Sequence, residues 1–426
     1  MIIQWACMIK RRKKILVICP GHRDYRELQQ PAIEAQYDIL FHEDEAAYRL
    51  ESFDPLAYLE NTLKEFQGQR IDGLFSSDDY PGCSLASILA HAWDLPSATP
   101  EAVLLCQHKY HCREAQKQCV PQAVPDFALL DPSCYNGKPP LEFPFFVKPV
   151  KSFFSMGARR VENARQLEDV LTASQQHLTV FCQPFQQLLR NHSSLKLGAN
   201  YLLCEQLLEG DQVTLEGFVY NQRVETLGIV DSFMYPGTIC FERFQYPSAL
   251  KQALQDRMSA LAERLMKHIG FHHGIFNIEM MYNRREDRIY VIEVNPRMVS
   301  QFADLFEKVD GTSTYEIQLA LATGKKPKRE TKAGRYSTAA SFVWRTFQDK
   351  KILKVPNLEE VQSRLPDARI EIFGEVGERL SEYIQDGMSY RYAIVNLGGQ
   401  NEDDLRERYD ECKQLLEFRF ASLKGA

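Results

Sequence analysis

Residues 274–297 constrain this chain more than any other segment. Two alternating apolar runs, Gly274 to Tyr282 and Ile289 to Arg297, flank the short charged stretch Asn283 to Arg288. That pattern is a β-hairpin signal. Folding it about Glu286 sets Glu279 opposite Glu293 and Asn277 opposite Asn295. Side chains alternate along a strand, so Phe276, Ile278, Met280, Tyr282, Tyr290, Ile292 and Val294 fall on one face. The other face carries Asn277, Glu279, Glu293, Asn295 and Arg297. Opposed residues lie roughly 5 Å apart, and like charges at that spacing are destabilising. A solvated outer face is the competing explanation for two glutamates. Asn295-Pro296-Arg297 directly after Glu293 favours a site for a hard cation such as Mg²⁺, which takes carboxylate, amide and phosphate oxygens.

The chain has 426 residues, enough for two or three domains. Its net charge of −6 gives no global basic field for nucleic acid. The 11 cysteines are scattered, odd in number and free of CxxC pairs, which fits reduced thiols better than a disulfide framework. Cys106, His108, His111, Cys112 and Cys119 cluster locally, but their spacing matches no structural zinc pattern and reads as an ordinary helix. No stretch is long and apolar enough to span a bilayer. The apolar residues Met1 to Met8 precede the basic run Lys10 to Lys14, the reverse of a secretory signal, and Met8 is an alternative start. These features together predict a cytoplasmic protein.

Strands are expected at 15–19, 37–41 and 73–77, with helices at 55–68 and 83–93 between and after them. That alternation predicts a parallel sheet. Ligands in such sheets sit at the strand C-terminal ends. His22, Arg23, Ser77, Asp78 and Asp79 are therefore candidate substrate contacts, with turn and capping roles as the alternative. Beyond the proline-bearing stretch 121–144 a strand-rich block begins, with strands at 143–150, 202–208 and 212–234. A helix at 250–269 leads to the hairpin, and another follows at 312–323. The tail carries strands near 337–345, 368–373 and 390–397, then a helix at 401–415.

Lys148 lies inside the apolar run Phe143 to Val150. A buried ammonium needs a partner, and a nucleotide phosphate would supply one. Snorkelling from a strand end is the plainer explanation. The following loop, Lys151 to Ala158, contains Ser155 and Gly157 and could present backbone N–H groups to phosphate. Cys204 to Gly210 ends a strand at a glycine turn. Neither GxxxxGK[ST] nor GxGxxG is present.

Taken in order, these pieces resemble the ATP-grasp superfamily. The resemblance rests on Lys109 in Cys106-Gln107-His108-Lys109-Tyr110, Phe146-Val147-Lys148-Pro149, Cys204-Glu205-Gln206-Leu207-Leu208-Glu209-Gly210, Phe276-Asn277-Ile278-Glu279 and Ile292-Glu293-Val294-Asn295-Pro296-Arg297. It covers nearly the whole chain, and the tail is similar to the C-terminal part of biotin-carboxylase-like members. The resemblance implies an α/β and α+β architecture in three parts. Residues 1–105 would form an N-terminal parallel-sheet domain. Residues 106–330 would form the ATP-grasp domain, with a lid at about 143–210. Residues 331–426 would complete a C-terminal lobe of antiparallel sheet.

Carried over position by position, Lys109 and Lys148 would bind phosphate, and Ser155 and Gly157 would belong to the phosphate loop. Glu205 and the backbone of Gln206 and Leu208 would recognise adenine. Gln212 would stand at the ribose. Glu279, Glu293 and Asn295 would hold Mg²⁺, with Mn²⁺ an acceptable substitute. Arg297, with Lys148, would stabilise charge on the transferring phosphoryl group. Arg243 and Asp78 are further candidates for substrate contact.

The implied activity is an ADP-forming carboxylate–amine ligase of amino-acid type, acting on small molecules through an acyl phosphate. No nucleic-acid or membrane partner is implied, and a homodimer is an allowed assembly. The alternatives are a carboxylase-type member making carboxyphosphate and a non-catalytic ATP-binding regulator. Phe153 and Phe154 replace the glycines many relatives carry in the phosphate loop. Met298 to Asp304 lacks the glutamate-histidine-proline pattern of biotin carboxylases, which weighs against bicarbonate chemistry.

Overall fold

The computed structural model describes residues 11–43, 53–152, 157–383 and 389–422. Strands β1 (Lys13–Ile18), β2 (Tyr37–His42) and β3 (Gly73–Phe75) form a parallel sheet in the order β2-β1-β3. Residues Ile15 to Ile18 of the central strand are all fully buried. Leu16 and Ile18 enter one core, Ile15 and Val17 another. A continuous apolar run is what a strand covered on both faces requires. β3 ends at Phe75, so Ser76 to Tyr80 lie at its C-terminal end, facing the rest of the molecule.

A second sheet is antiparallel and small: β4 (Phe127–Leu130), β5 (Phe145–Pro149), β6 (Arg159–Val161) and β7 (Leu202–Gln206), in the order β4-β7-β5-β6. It takes in β4, upstream of residue 143, where the sequence places the start of the lid. The helix Ala164–His192 packs on it through Leu167, Leu171, Phe185, Leu188 and Leu189. The strand-rich reading of this block missed that helix. Pro184 inside it hides the helical period, because proline normally ends a helix pattern.

The third sheet has eight strands. Along the chain come β8 (Asp211–Tyr220), β9 (Arg223–Met234), β10 (Phe241–Tyr246), β11 (Gly274–Asn283), β12 (Arg288–Asn295), β13 (Thr338–Thr346), β14 (Lys350–Lys354), β15 (Arg369–Ile372), β16 (Tyr390–Gly399) and β17 (Arg419–Ser422). The order is β12-β11-β8-β9-β10-β13-β16-β15, while β14 and β17 pair separately. The antiparallel β10–β13 pair carries the sheet across residue 330 without a break. The helix Gln252–Ile269 covers one face, where Met258, Leu261, Leu265 and Met266 meet Val213, Leu215, Ile278 and Met280. The other face of β8, β11 and β12 is the polar one.

The β11–β12 hairpin has the expected register at its site end: Asn277 pairs with Asn295 and Glu279 with Glu293. Beyond Glu279 the register shifts by one, so Met280 pairs with Val291 and not Ile292. This bulge corrects the expected face assignment. Ile289 and Val291 join the buried core, and Ile292 turns to the cleft beside Met281. Re-aiming a side chain next to a site is what a bulge does.

Candidate active site

A cleft of about 870 Å³ lies between the small sheet and the polar face of the large one. Its walls include Lys109, Lys148, Glu205, Gln206, Leu208, Gln212, Glu279, Glu293, Asn295 and Arg297. These ten residues, all expected from sequence, are brought together from segments almost 190 positions apart.

Lys109 is the first residue of the helix Lys109–Cys119, whose N-cap is His108. The His108 side chain accepts from the His111 N–H, and its Nε2 lies 3.1 Å from the Gly198 carbonyl oxygen. Burial and the adjacent His111 hold the imidazole neutral, pushing its pKa down to about 3. In this setting His108 serves the helix start and aims Lys109 into the cleft. The Lys109 Nζ lies 2.9 Å from Glu293 Oε1 and donates to the Ser152 carbonyl at 3.0 Å. Burial works against its charge, but Glu293, with Asp79 and Glu279, more than offsets that and raises its pKa.

Lys148 is on β5, and its Nζ lies 2.6 Å from Glu205 Oε2 on the neighbouring β7. Glu205 is shared with Arg113, whose Nε donates to Glu205 Oε1 at 2.7 Å. Arg113 also donates to the backbone carbonyls of Val291 (2.6 Å) and Ile292 (2.9 Å). Burial alone would raise the Glu205 carboxyl, but Arg113 and Lys148 hold it below the usual range. One buried guanidinium thus fixes Glu205, Lys148 and the bulge of β12. Sequence reasoning missed Arg113. Its signal was an arginine four residues after Lys109 on a short helix, a spacing that puts both on one face.

The Glu205 side chain is therefore committed to Lys148 and Arg113, and the Gln206 N–H donates to the Asp126 carbonyl at 2.8 Å. Phe146, Leu207, Leu208, Met281 and Ile292 give the cleft wall an apolar part. Gly210 closes this linker at φ 147°, and a Cβ there would sit 2.2 Å from the Tyr282 carbonyl oxygen. Glycine is needed at this close approach.

Gln212 Nε2 donates to Glu279 Oε2 at 3.1 Å, tying the expected ribose position to the carboxylate pair. Burial, and after it Glu293, raises the Glu279 pKa. Asn295 donates through Nδ2 to Asn277 Oδ1 at 3.0 Å, and Asn277 donates to the Arg297 carbonyl at 3.0 Å. The two facing carboxyls, beside an amide, form an all-oxygen donor set. That set fits Mg²⁺, which binds through one or two carboxylates plus substrate phosphates. Among the described residues, no group of three His, Cys, Asp or Glu side chains is arranged to hold a metal. Glu279, Glu293 and Asn295 would need phosphate oxygens to complete a shell.

Arg297 follows the hairpin and faces Asp79, with Nε 3.5 Å from Asp79 Oδ1. Behind it, Glu216 on β8 is fully buried. Its Oε1 accepts from the Val299 N–H at 3.0 Å, while Oε2 has no hydrogen-bond partner among the described residues. Burial pushes the Glu216 carboxyl up to about 8. Neither this residue nor Lys151, whose ammonium sits 4.5 Å from the Tyr80 ring centroid, was singled out by sequence.

Other expected contacts are placed elsewhere. Asp78 Oδ2 accepts from the Gly82 N–H at 2.8 Å, and it is the adjacent Asp79 that lines the cleft. Burial pushes the Asp78 carboxyl up to about 6. Arg243 pairs across the strands with Phe233, stacks on its ring at 4.2 Å and is absent from the cleft wall. His22 and Arg23 bind Glu371, and Ser77 donates to Asp24. Gly157 has a positive φ of 73°, with the cleft wall taken up by its neighbour Ala158. Ser155, with Phe153 and Phe154, lies outside the described residues.

Residues 141–305 match the ATP-grasp domain family. The structure is similar to an L-amino acid ligase from Bacillus licheniformis, at 18% identity and a TM-score of 0.71, over 97% of this chain and 100% of that one. It is similar to N5-carboxyaminoimidazole ribonucleotide synthetase from Thermus thermophilus, at 15% identity and a TM-score of 0.66, over 97% and 100% of the two chains. It also resembles biotin carboxylase from Campylobacter jejuni, at 15% identity and a TM-score of 0.64, over 97% and 93%. In sequence, 213 residues are 24% identical to a carbamoyl-phosphate synthase from Methanobrevibacter smithii, covering 48% of this chain. The chain spans about half the length of that curated relative. Residues 141–305 are an ATP-grasp domain, and the chain around them has the ATP-grasp fold.

Proposed function

We propose that the protein is an ADP-forming carboxylate–amine ligase of amino-acid type. The observation that carries this reading is the convergence of Lys109, Lys148, the Glu279–Glu293 pair, Asn295 and Arg297 on one cleft. Lys109 and Lys148 would bind the phosphates, with Glu205 and Arg113 fixing Lys148. Glu279, Glu293 and Asn295 would hold Mg²⁺, which when bound neutralises charge on the phosphate oxygens. Arg297 would face the terminal phosphoryl group and the substrate carboxylate, since arginine suits both. A carboxylate oxygen attacks the terminal phosphorus, ADP leaves, and an acyl phosphate forms. The amine nitrogen then attacks the acyl carbon and phosphate departs. No protein nucleophile is required.

Incubation with Mg-ATP, an ¹⁸O-labelled carboxylate and an amine tests the sequence of steps. The expected result is ADP, an amide and one labelled oxygen in phosphate. Label in AMP would mean adenylation. ADP with unlabelled phosphate and no amide would mean idle hydrolysis. A screen of carboxylates crossed with amines, read by ADP release, identifies the substrates.

A further inference from the structure

Glu216 has no part in the nucleotide site described above, yet it is an ionisable side chain with no exposed surface. It stands opposite Asn277 in the β8–β11 pairing, and Asn277 stands opposite Asn295. A row of polar side chains, Asn295, Asn277 and Glu216, thus runs across three strands beside the row Glu293, Glu279 and Thr214. Asn277 and Glu216 both bind the segment that follows the hairpin. Asn277 donates to the Arg297 carbonyl, and Glu216 accepts from the Val299 N–H, each at 3.0 Å. The backbone on either side of Met298 is held by one donor and one acceptor from a cross-strand pair. Arg297 therefore leaves the sheet at a fixed point.

That clamp uses one carboxyl oxygen, and an amide would serve it equally well. The other oxygen, Oε2, is buried without a hydrogen-bond partner among the described residues, and so is Arg297 Nε. At 3.5 Å from Asp79 Oδ1, Nε is too distant for a charge-assisted hydrogen bond. Burial works against charge on both Glu216 and Arg297, and against that each favours the ionised form of the other. An unpaired buried donor and an unpaired buried acceptor are each costly, and these two satisfy one another when the guanidinium turns away from Asp79. From this juxtaposition we infer that Glu216 is the positioning residue of Arg297: its free oxygen accepts from Nε–H and turns the two terminal nitrogens into the cleft as a fork for the terminal phosphoryl group. The five donors of a planar guanidinium allow that division between an internal anchor and a ligand. The inference rests on the placement of Arg297 in the ligase reading and adds the residue that orients it.

The test is calorimetry on the full chain with Mg²⁺, comparing a non-hydrolysable ATP analogue with ADP. The ratio of the two affinities reads the terminal phosphate alone. Glu216→Gln is isosteric, keeps an acceptor for Val299 and loses the second one. It is expected to lower the ratio by about tenfold, the value of a charged hydrogen bond, with ADP affinity unchanged. Arg297→Met should lower the ratio at least as far. Adding Glu216→Gln to Arg297→Met should change it by less than about twofold, because the carboxyl acts through the guanidinium. An unchanged ratio in Glu216→Gln, or additive losses in the double variant, overturns the inference. An unchanged ratio in Arg297→Met means that Arg297 does not meet the terminal phosphate, which overturns that placement and the inference with it. The ligase reading is judged separately, by the labelled-phosphate experiment.

Discussion

At the scale of single residues, the cations that would receive phosphate are each already engaged. Lys109 is paired with Glu293, Lys148 with Glu205, and Arg297 with Asp79. Of these, the first pair carries a direct consequence, because a cation and Lys109 compete for the same carboxylate. Mg²⁺ held by Glu293 would release Lys109 towards phosphate, so metal and nucleotide should bind synergistically. The predicted affinity of a non-hydrolysable ATP analogue, measured by calorimetry, falls at least tenfold when EDTA removes the metal. In Glu293→Gln the EDTA effect should shrink below threefold, and turnover should fall by about 10²–10³. A Glu293→Gln protein with near-wild-type turnover would remove the metal assignment. Arg113→Met probes the neighbouring triad. It leaves Glu205 with only Lys148, and breaking a buried pair of this kind costs about 3–5 kcal/mol, readable as a lower urea midpoint. The hairpin acids were legible in the sequence because strand pairing is local there. Arg113 was not, because its partners Glu205 and Val291 lie 92 and 178 positions away.

At the scale of elements, the linker between β7 and β8 and the bulge of β12 together shape the apolar part of the cleft wall. The linker turns at Gly210 against the backbone of Tyr282 on β11, and no side chain fits there. Gly210→Ala must displace either the linker or the hairpin, a strain of about 1–3 kcal/mol. We predict a loss of nucleotide affinity of about tenfold or more, with the carboxylate KM little changed. An unaltered affinity in fluorescence titration would show that this contact does not set the base-binding wall. The turn itself was legible from Gly210 at a strand end. The bulge was not, since one extra residue in a hairpin leaves the alternating pattern almost intact and only the observed pairing of Met280 with Val291 reveals it.

At the scale of the whole molecule, the three sheets meet around the cleft, and the N-terminal sheet is tied to the C-terminal lobe by one charged cluster. The strand–helix alternation of the N-terminal part was readable because each element is short and bounded. The unbroken run of the large sheet across residue 330 was not, because it depends on β10 pairing with β13 about a hundred residues later. The cluster is equally hidden in the sequence. Glu371 on β15 accepts from Arg23 Nε at 2.7 Å and Nη2 at 2.6 Å, from Arg26 at 3.0 Å, and lies 3.0 Å from His22 Nε2. Arg23 also reaches Ser300, three residues beyond Arg297, at 3.4 Å. Burial would raise the Glu371 carboxyl, but His22 and Arg23 hold it far below the ordinary carboxylate range. A lowered folded pKa means that the unfolded chain takes up the proton first as pH falls. The stabilisation from Glu371 is therefore complete above the ordinary glutamate value and is lost progressively below it. Glu371→Gln should cost about 2–4 kcal/mol at pH 7, less than a fully enclosed pair because Arg23 and Arg26 keep some contact with water. Urea unfolding of both proteins at pH 7, 5 and 3.5 checks the sign. The gap between them should be smaller by about 1 kcal/mol at pH 3.5 than at pH 5. A gap that widens between pH 5 and 3.5, or none at pH 7, would mean that the cluster does not join the N-terminal sheet to the lobe in solution.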